Sequence, residues 1–111
     1  MKIHRLHCQD PWFTFIRQET KTVEGRKNLP QFKDWQVGDT LIFFLDEKEF
    51  CTKIIDLRHY SSLEDYLRTE GIAKVLPGVK SLEEGLAIYY QWSKPEEIIQ
   101  YGFLAIEVER I

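Results

Sequence analysis

The sequence has few cysteines and no long hydrophobic segment. Two cysteines in 111 residues, Cys8 and Cys51, are too few for a disulfide framework or a four-thiolate zinc site, and we interpret them as reduced, partly buried thiols. No apolar run has the length that a membrane span requires. The opening residues lack the apolar block of a secretory signal. These absences predict a cytoplasmic protein with no membrane partner.

The composition is that of one ordinary globular domain. Hydrophobic residues make up 43% of the chain and charged residues 30%, which excludes disorder as the main state. The length predicts a single domain over residues 1–111. Aromatic residues, at 14%, are numerous enough to build a small core and also to stack on nucleic-acid bases.

Charge is distributed unevenly along a chain whose net charge is −3. Residues 1–33 carry seven Lys and Arg against three Asp and Glu, whereas residues 60–111 carry five against nine. The acidic total argues against tight, indiscriminate duplex binding, which depends on neutralising phosphates. We expect the basic third to form a cleft for a single strand, a nucleotide or another anion, with the acidic helices elsewhere on the surface.

Hydrophobic patterning and turn residues predict an α+β fold. Strands are expected at 2–8, 21–27, 40–45, 49–59 and 103–110. Helices are expected at 11–19, from Ser62 to about residue 68, from Ser81 to residue 92, and in a short segment from Ser93. The polar segment 28–35 is expected to be a loop. Antiparallel strands with helices set to one side favour a small curled β-barrel of about five to six strands.

The densest polar constellation is the segment Lys21–Arg26. Strand alternation places Thr22, Glu24 and Arg26 on one face, and a turn can direct Lys21 to the same space. A carboxylate between two cations can bind an anion or a base edge. The alternative is a surface pair of Glu24 with Arg26, worth less than about 1 kcal/mol.

Other residues allow two interpretations each. His4, His7 and Cys8 suggest a metal site, but strand alternation turns His7 away from the other two, so we predict no metal and no cofactor. Trp12 is either a stacking platform or part of the core. Tyr89 and its neighbours Tyr90 and Trp92 either pack the helices onto the barrel or rim the cleft.

The motif also resembles a known signature. Lys21, Glu24 and Arg26 are in register with the Gly-x-Lys-x-x-Glu-x-Arg motif of the ASCH (activating-signal-cointegrator homology) family, in the PUA-like superfamily, although Glu19 replaces the glycine. Further family-like segments extend over nearly the whole chain: Trp12-Phe13, Val37-Gly38-Asp39, Tyr60 with Ser62, and Tyr101-Gly102.

The resemblance implies a PUA-like barrel whose cleft, beside the first helix, is lined by Lys21, Glu24 and Arg26, with Trp12 nearby. The implied function is binding of RNA, single-stranded nucleic acid or a nucleotide-like ligand. The alternative is a small hydrolase, similar to the acetylcytidine amidohydrolases or acting on RNA, with Lys21 and Glu24 catalytic. Those enzymes look like Lys-x-x-Thr with a downstream Glu. Here Glu24 stands at the Thr position, and Glu70 is a candidate for the acid.

The residues themselves favour binding over catalysis. A carboxylate three positions from Lys21 stabilises its ammonium form. We therefore predict that Lys21 is protonated at neutral pH and contacts an anion, and that arginine at this position preserves much of the binding.

Overall fold

The computed structural model describes all 111 residues. The strands are β1 Ile3–His7, β2 Val23–Lys27, β3 Thr40–Leu45, β4 Lys48–Tyr60 and β5 Phe103–Arg110. The α-helices are α1 Trp12–Arg17, α2 Leu63–Glu70, α3 Ile72–Val75, α4 Leu82–Tyr89 and α5 Pro95–Tyr101, and a 3-10 helix spans Pro30–Phe32. All five predicted strands are present, so the expected fold class is confirmed.

The strands form one curled sheet in the order β1-β3-β4-β5-β2. The β1–β3 pair is parallel and the other three pairs are antiparallel. Helices flank this sheet, as a PUA-like α+β barrel requires. The strand order leaves β1 and β2 as its two edges, so no backbone ladder closes the barrel.

Local sequence signals fix most element boundaries. Ser62 and Ser81 cap α2 and α4, accepting hydrogen bonds from the backbone N–H groups of Asp65 (3.1 Å) and Glu84 (3.2 Å). In α1 the N-cap is Pro11, and the Asp10 carboxylate just before it accepts from the Thr14 backbone N–H at 3.0 Å.

Several element boundaries and two short helices differ from the sequence-based expectation. The first helix begins one residue after Pro11, and α4 ends at Tyr89 instead of residue 92. The helix α3 and the 3-10 helix were not predicted, because both are too short for hydrophobic periodicity to reveal them. The 3-10 helix buries Phe32 inside the segment expected to be a loop.

The buried side chains form two hydrophobic clusters. One joins α1 and Phe32 to the inner face of β1, β3, β4 and β5. The other packs the helices α2–α5 against Val23 and Phe103. Trp12 contacts both clusters, so the first helix lies at the seam between them. None of the helices combines the length and apolar composition needed to cross a bilayer.

Candidate functional site

A cavity of about 260 Å³ opens at this seam. Its lining includes all four residues singled out in the sequence, Lys21, Glu24, Arg26 and Trp12. Twelve further residues complete it: His7, Cys8, Gln9, Gly25, Lys27, Leu29, Gln31, Phe32, Leu76, Tyr89, Trp92 and Ser93. The cavity therefore combines a charged floor with aromatic and aliphatic walls.

Lys21 lies at the base of the cavity and is 1% exposed. Its Nζ donates hydrogen bonds to the backbone carbonyl oxygens of Val23 (2.6 Å) and Val75, and lies 3.3 Å from Glu24 Oε1. These three acceptors match the three N–H groups of an ammonium ion. Lys21 thus has no free donor for a ligand, in contrast to the sequence-based expectation of a direct anion contact.

Burial determines the direction in which the pKa of Lys21 shifts. Removal from water lowers the pKa of Lys21 below its ordinary value, and the nearby Glu24 carboxylate only partly opposes this effect. The prediction from the sequence gave the carboxylate more weight than burial, because a sequence does not reveal how deeply a lysine is buried.

Glu24 connects the two cations of the motif. Its Oε1 faces Lys21, while its Oε2 accepts from Arg26 Nη2 at 2.8 Å and Nε at 3.2 Å. Burial would raise the pKa of Glu24, but the Arg26 guanidinium and then the Lys21 ammonium bring it below its ordinary value. Glu24 is therefore an ionised carboxylate with fixed orientation.

Cys8 adds a neutral donor to this network. Its Sγ lies 3.7 Å from Glu24 Oε2, within the range of a thiol hydrogen bond. Burial, followed by the Glu24 charge, raises the pKa of Cys8 well above its usual range. The thiol is thus protonated and unreactive.

Arg26 is the cation that remains available to a ligand. Its side chain is 29% exposed. Nε and Nη2 are occupied by Glu24 and by the backbone carbonyl oxygen of His7, which accepts from Nη2 at 2.6 Å. Nη1 donates to no protein atom, so the guanidinium presents two free N–H groups from a rigid support.

Aromatic side chains form the walls. Trp12 is half-buried and lies 6.0 Å from Phe15 between ring centroids; it packs against both hydrophobic clusters, as the core interpretation predicts, and it also lines the cavity. Tyr89 is buried in the second cluster and also lines the cavity, whereas Trp92 is 44% exposed at the rim. Sequence reasoning left these two roles open.

Several lining residues were missed altogether. Leu29, Gln31 and Phe32 reach the cavity from the segment around the 3-10 helix, and Ser93 and Leu76 come from the helical region. The only sequence signal for Leu29 and Phe32 was an apolar residue within a polar segment.

Only some of the basic residues of the first third of the chain gather at the cavity, where all of them were expected. Of the seven Lys and Arg in residues 1–33, Lys21, Arg26 and Lys27 line the cavity. Lys27 pairs with Glu97 of α5 at 3.2 Å, so one acidic helix does reach the cavity edge. Glu24 is the one acidic residue of the lining itself.

Glu70 and His4, two further residues considered in the sequence analysis, do not line the cavity. Glu70 is outside the cavity lining, held by Arg58 through two hydrogen bonds of 2.7 Å and by Tyr60. His4 stacks on Trp35 at 4.4 Å and bonds Asp39 at 2.8 Å, whereas Cys8 contacts Glu24. His7 packs edge-to-face on Phe44, with ring centroids 5.5 Å apart, so His4, His7 and Cys8 each have a different partner.

The fold and the position of the cavity together define a PUA-like domain with a cavity beside its first helix. Residues 6–111 match the family of the ASCH domain. The crystal structure of hypothetical protein PH0355 is similar at 37% identity and a TM-score of 0.90, with both chains fully covered. The solution NMR structure of protein PF0455 from Pyrococcus furiosus has 31% identity and a TM-score of 0.81, covering 100% of this chain and 98% of that one. Among curated proteins, none matches significantly. The chain belongs to the ASCH domain family, as its motif predicted.

Proposed function

We propose that this ASCH domain binds single-stranded RNA, or a nucleotide-like ligand, by taking one base into the cavity. The observation that carries the proposal is Arg26, which lines the cavity together with Trp12 and Trp92 and whose Nη1 makes no hydrogen bond within the protein. A guanidinium donates to the carbonyl oxygens and ring nitrogens of a base, and indole rings stack on its faces. The broad association of ASCH domains with RNA binding supports the same conclusion.

The size of the cavity favours a single base over a longer segment. Its volume of about 260 Å³ lies just below the roughly 300–1,000 Å³ of most small-molecule sites. A duplex cannot enter such a space, because its bases are paired and stacked.

The residues of the motif have different roles in this proposal. Arg26 and Trp12 contact the ligand, while Lys21 and Glu24 hold Arg26 in place and set the charge of the floor. Lys21, Glu24 and Arg26 together carry a charge of about +1 when all are ionised, which suits an electron-rich base edge or a phosphate.

The hydrolase alternative finds less support in the geometry. A lysine base or nucleophile must be neutral, whereas the three acceptors around Lys21 favour the ammonium form. The lowered pKa of Lys21 is the one observation in favour of catalysis. Glu70, the candidate downstream acid, does not line the cavity.

The test compares a short single-stranded RNA with a duplex of the same sequence, by fluorescence anisotropy over a salt series. We expect the single strand to bind more tightly. Arg26→Gln should weaken binding roughly tenfold or more, the scale of a charge-assisted hydrogen bond. Arg68→Gln is the matched control, because Arg68 is 65% exposed and lies outside the cavity. Equal affinity for duplex and single strand, or equal effects of the two variants, would contradict the proposal.

A further inference from the structure

A second, larger cavity lies directly beside the first. Its volume is about 470 Å³, and Leu29 and Phe32 line both cavities. The partition between them is therefore these two side chains. Phe32 is held there by an edge-to-face contact with Trp35, with ring centroids 4.8 Å apart. Trp35 is itself stacked on His4, so the partition rests on a rigid aromatic support.

The second cavity has an apolar floor and a polar rim. Leu57 and Leu104 belong to its lining. The side chains of Asn28, Lys33, His59 and Tyr101 surround this floor, and none of the four makes a hydrogen bond or ion pair within the protein. A largely apolar lining with a few polar groups that have no partner within the protein is typical of ligand sites.

The electrostatics of this lining favour an anionic ligand with an aromatic ring. No Asp or Glu lines the second cavity, although the chain carries 18 acidic residues and a net charge of −3. Lys33 supplies an unpaired ammonium group, while Tyr101 and His59 supply rings. A nucleotide offers the complementary phosphate and base.

We propose that the second cavity binds the nucleotide adjacent to the one whose base occupies the first cavity. This inference rests on the function proposed above and extends it from one base to two. Lys33 contacts the phosphate, Tyr101 stacks on the second base, and Asn28 reads its edge. Leu29 and Phe32 separate the two bases, so they are bound unstacked from each other.

The experiment measures the affinity of 5′-phosphorylated mononucleotides and of the matching homodinucleotides by isothermal titration calorimetry. With wild-type protein we expect the dinucleotide to bind roughly five- to a hundredfold more tightly, the scale of one base stacked on an aromatic ring. In Tyr101→Leu and in Lys33→Gln the ratio of dinucleotide to mononucleotide affinity should fall towards one. Tyr90→Leu and Lys80→Gln are matched controls, because both residues lie outside the two cavities, and they should keep the wild-type ratio.

A second measurement uses only the wild-type protein, so its result does not depend on whether the variants fold. In amide-resolved NMR titrations the dinucleotide should shift the signals of Asn28 and Lys33, and the mononucleotide should not. Mononucleotide binding with no gain for the dinucleotide would overturn this inference and leave the proposed function intact. No binding of either ligand, nor of single-stranded RNA, would overturn the proposed function and this inference with it.

Discussion

Arg26 and His7 are hydrogen-bonded across the gap between the two edges of the sheet. Nη2 of Arg26 on β2 donates to the carbonyl oxygen of His7 at the end of β1, at 2.6 Å. Because β1 and β2 stand at opposite ends of the strand order, no backbone ladder joins them. The side chain of Arg26 thus links the open edges, and Glu24 orients it. The motif that forms the floor of the cavity also holds the curled sheet together.

Glu24→Gln should be strongly destabilising. It leaves the buried Lys21 and the partly exposed Arg26 without their shared carboxylate, and breaking a buried pair costs about 3–5 kcal/mol of unfolding free energy. Urea denaturation measures the loss. Glu49→Gln is the control, since Glu49 pairs with Arg5 at an exposed site and its loss should cost less than about 1 kcal/mol. Similar effects of the two changes would argue against Glu24 as the centre of the network.

Lys21→Met should cost less, about 1–3 kcal/mol of unfolding free energy. Glu24 keeps its Arg26 partner, but the carbonyl oxygens of Val23 and Val75 lose their donor. Contrary to the sequence-based expectation, Lys21→Arg should not rescue stability or binding, because a planar guanidinium cannot direct its donors to the carbonyl oxygens of Val23 and Val75 and to Glu24 as the compact ammonium does.

The same two variants test the hydrolase alternative. We expect the wild-type protein to show no hydrolysis of acetylated cytidine or of RNA in a chromatographic assay. Turnover by the wild type that disappears in both folded Lys21 variants, with ligand affinity retained, would reverse the order of the two functions.

Trp92→Leu should weaken binding of single-stranded RNA without unfolding the domain. The indole is 44% exposed at the rim of the cavity, and loss of one stacking platform costs about 1–3 kcal/mol of binding free energy. Tyr90→Leu removes a ring of 42% exposure that does not line the cavity, and should leave affinity unchanged. Anisotropy titrations measure the RNA affinity of both variants, and thermal melts check that both are folded. Equal affinities of the two variants would show that Trp92 does not contact the ligand.

Gly25→Ala should destabilise the fold by about 1–3 kcal/mol through overpacking. A Cβ at this position would lie 2.6 Å from Tyr66 Cζ and 2.7 Å from Phe103 Cε2. Adding Tyr66→Phe removes the hydroxyl that crowds the same space, so the double variant should regain part of the loss. The double-mutant cycle in urea checks this coupling, and strict additivity of the two changes would contradict the packing argument.

Asp39 should contribute a distinct acid-dependent component of stability. Hydrogen bonds from His4, and from the backbone N–H groups of Lys2 and Gln36, lower the pKa of Asp39 to about 2. A carboxylate with a lowered pKa stabilises the fold above its unfolded value, and this contribution is lost as pH falls from about 4 through 2.

Urea midpoints measured from pH 7 to pH 2 test this pH dependence. The difference between wild type and Asp39→Asn should be constant down to about pH 4 and shrink below it. Asp34→Asn, at an exposed position without side-chain hydrogen bonds, should follow the wild-type profile. A gap between wild type and Asp39→Asn that stays constant to pH 2 would contradict the prediction.

Local sequence signals determined the strands, the serine caps and the family motif. Apolar alternation and capping depend on neighbours within a few residues, so they can be read along the chain. The same locality explains why residues 103–110 were identified as a strand, whereas the four-residue helix α3 was not.

Only the tertiary structure decided what the motif residues do. Lys21 is turned from a ligand contact into a buried support by Val75, 54 positions further along the chain, and by helices that exclude water from it. Leu29, Phe32 and Trp92 meet at the cavity although no periodicity relates them. The pKa of a group and the walls of a cavity depend on atoms that are close in space and distant in sequence, and packing alone brings those atoms together.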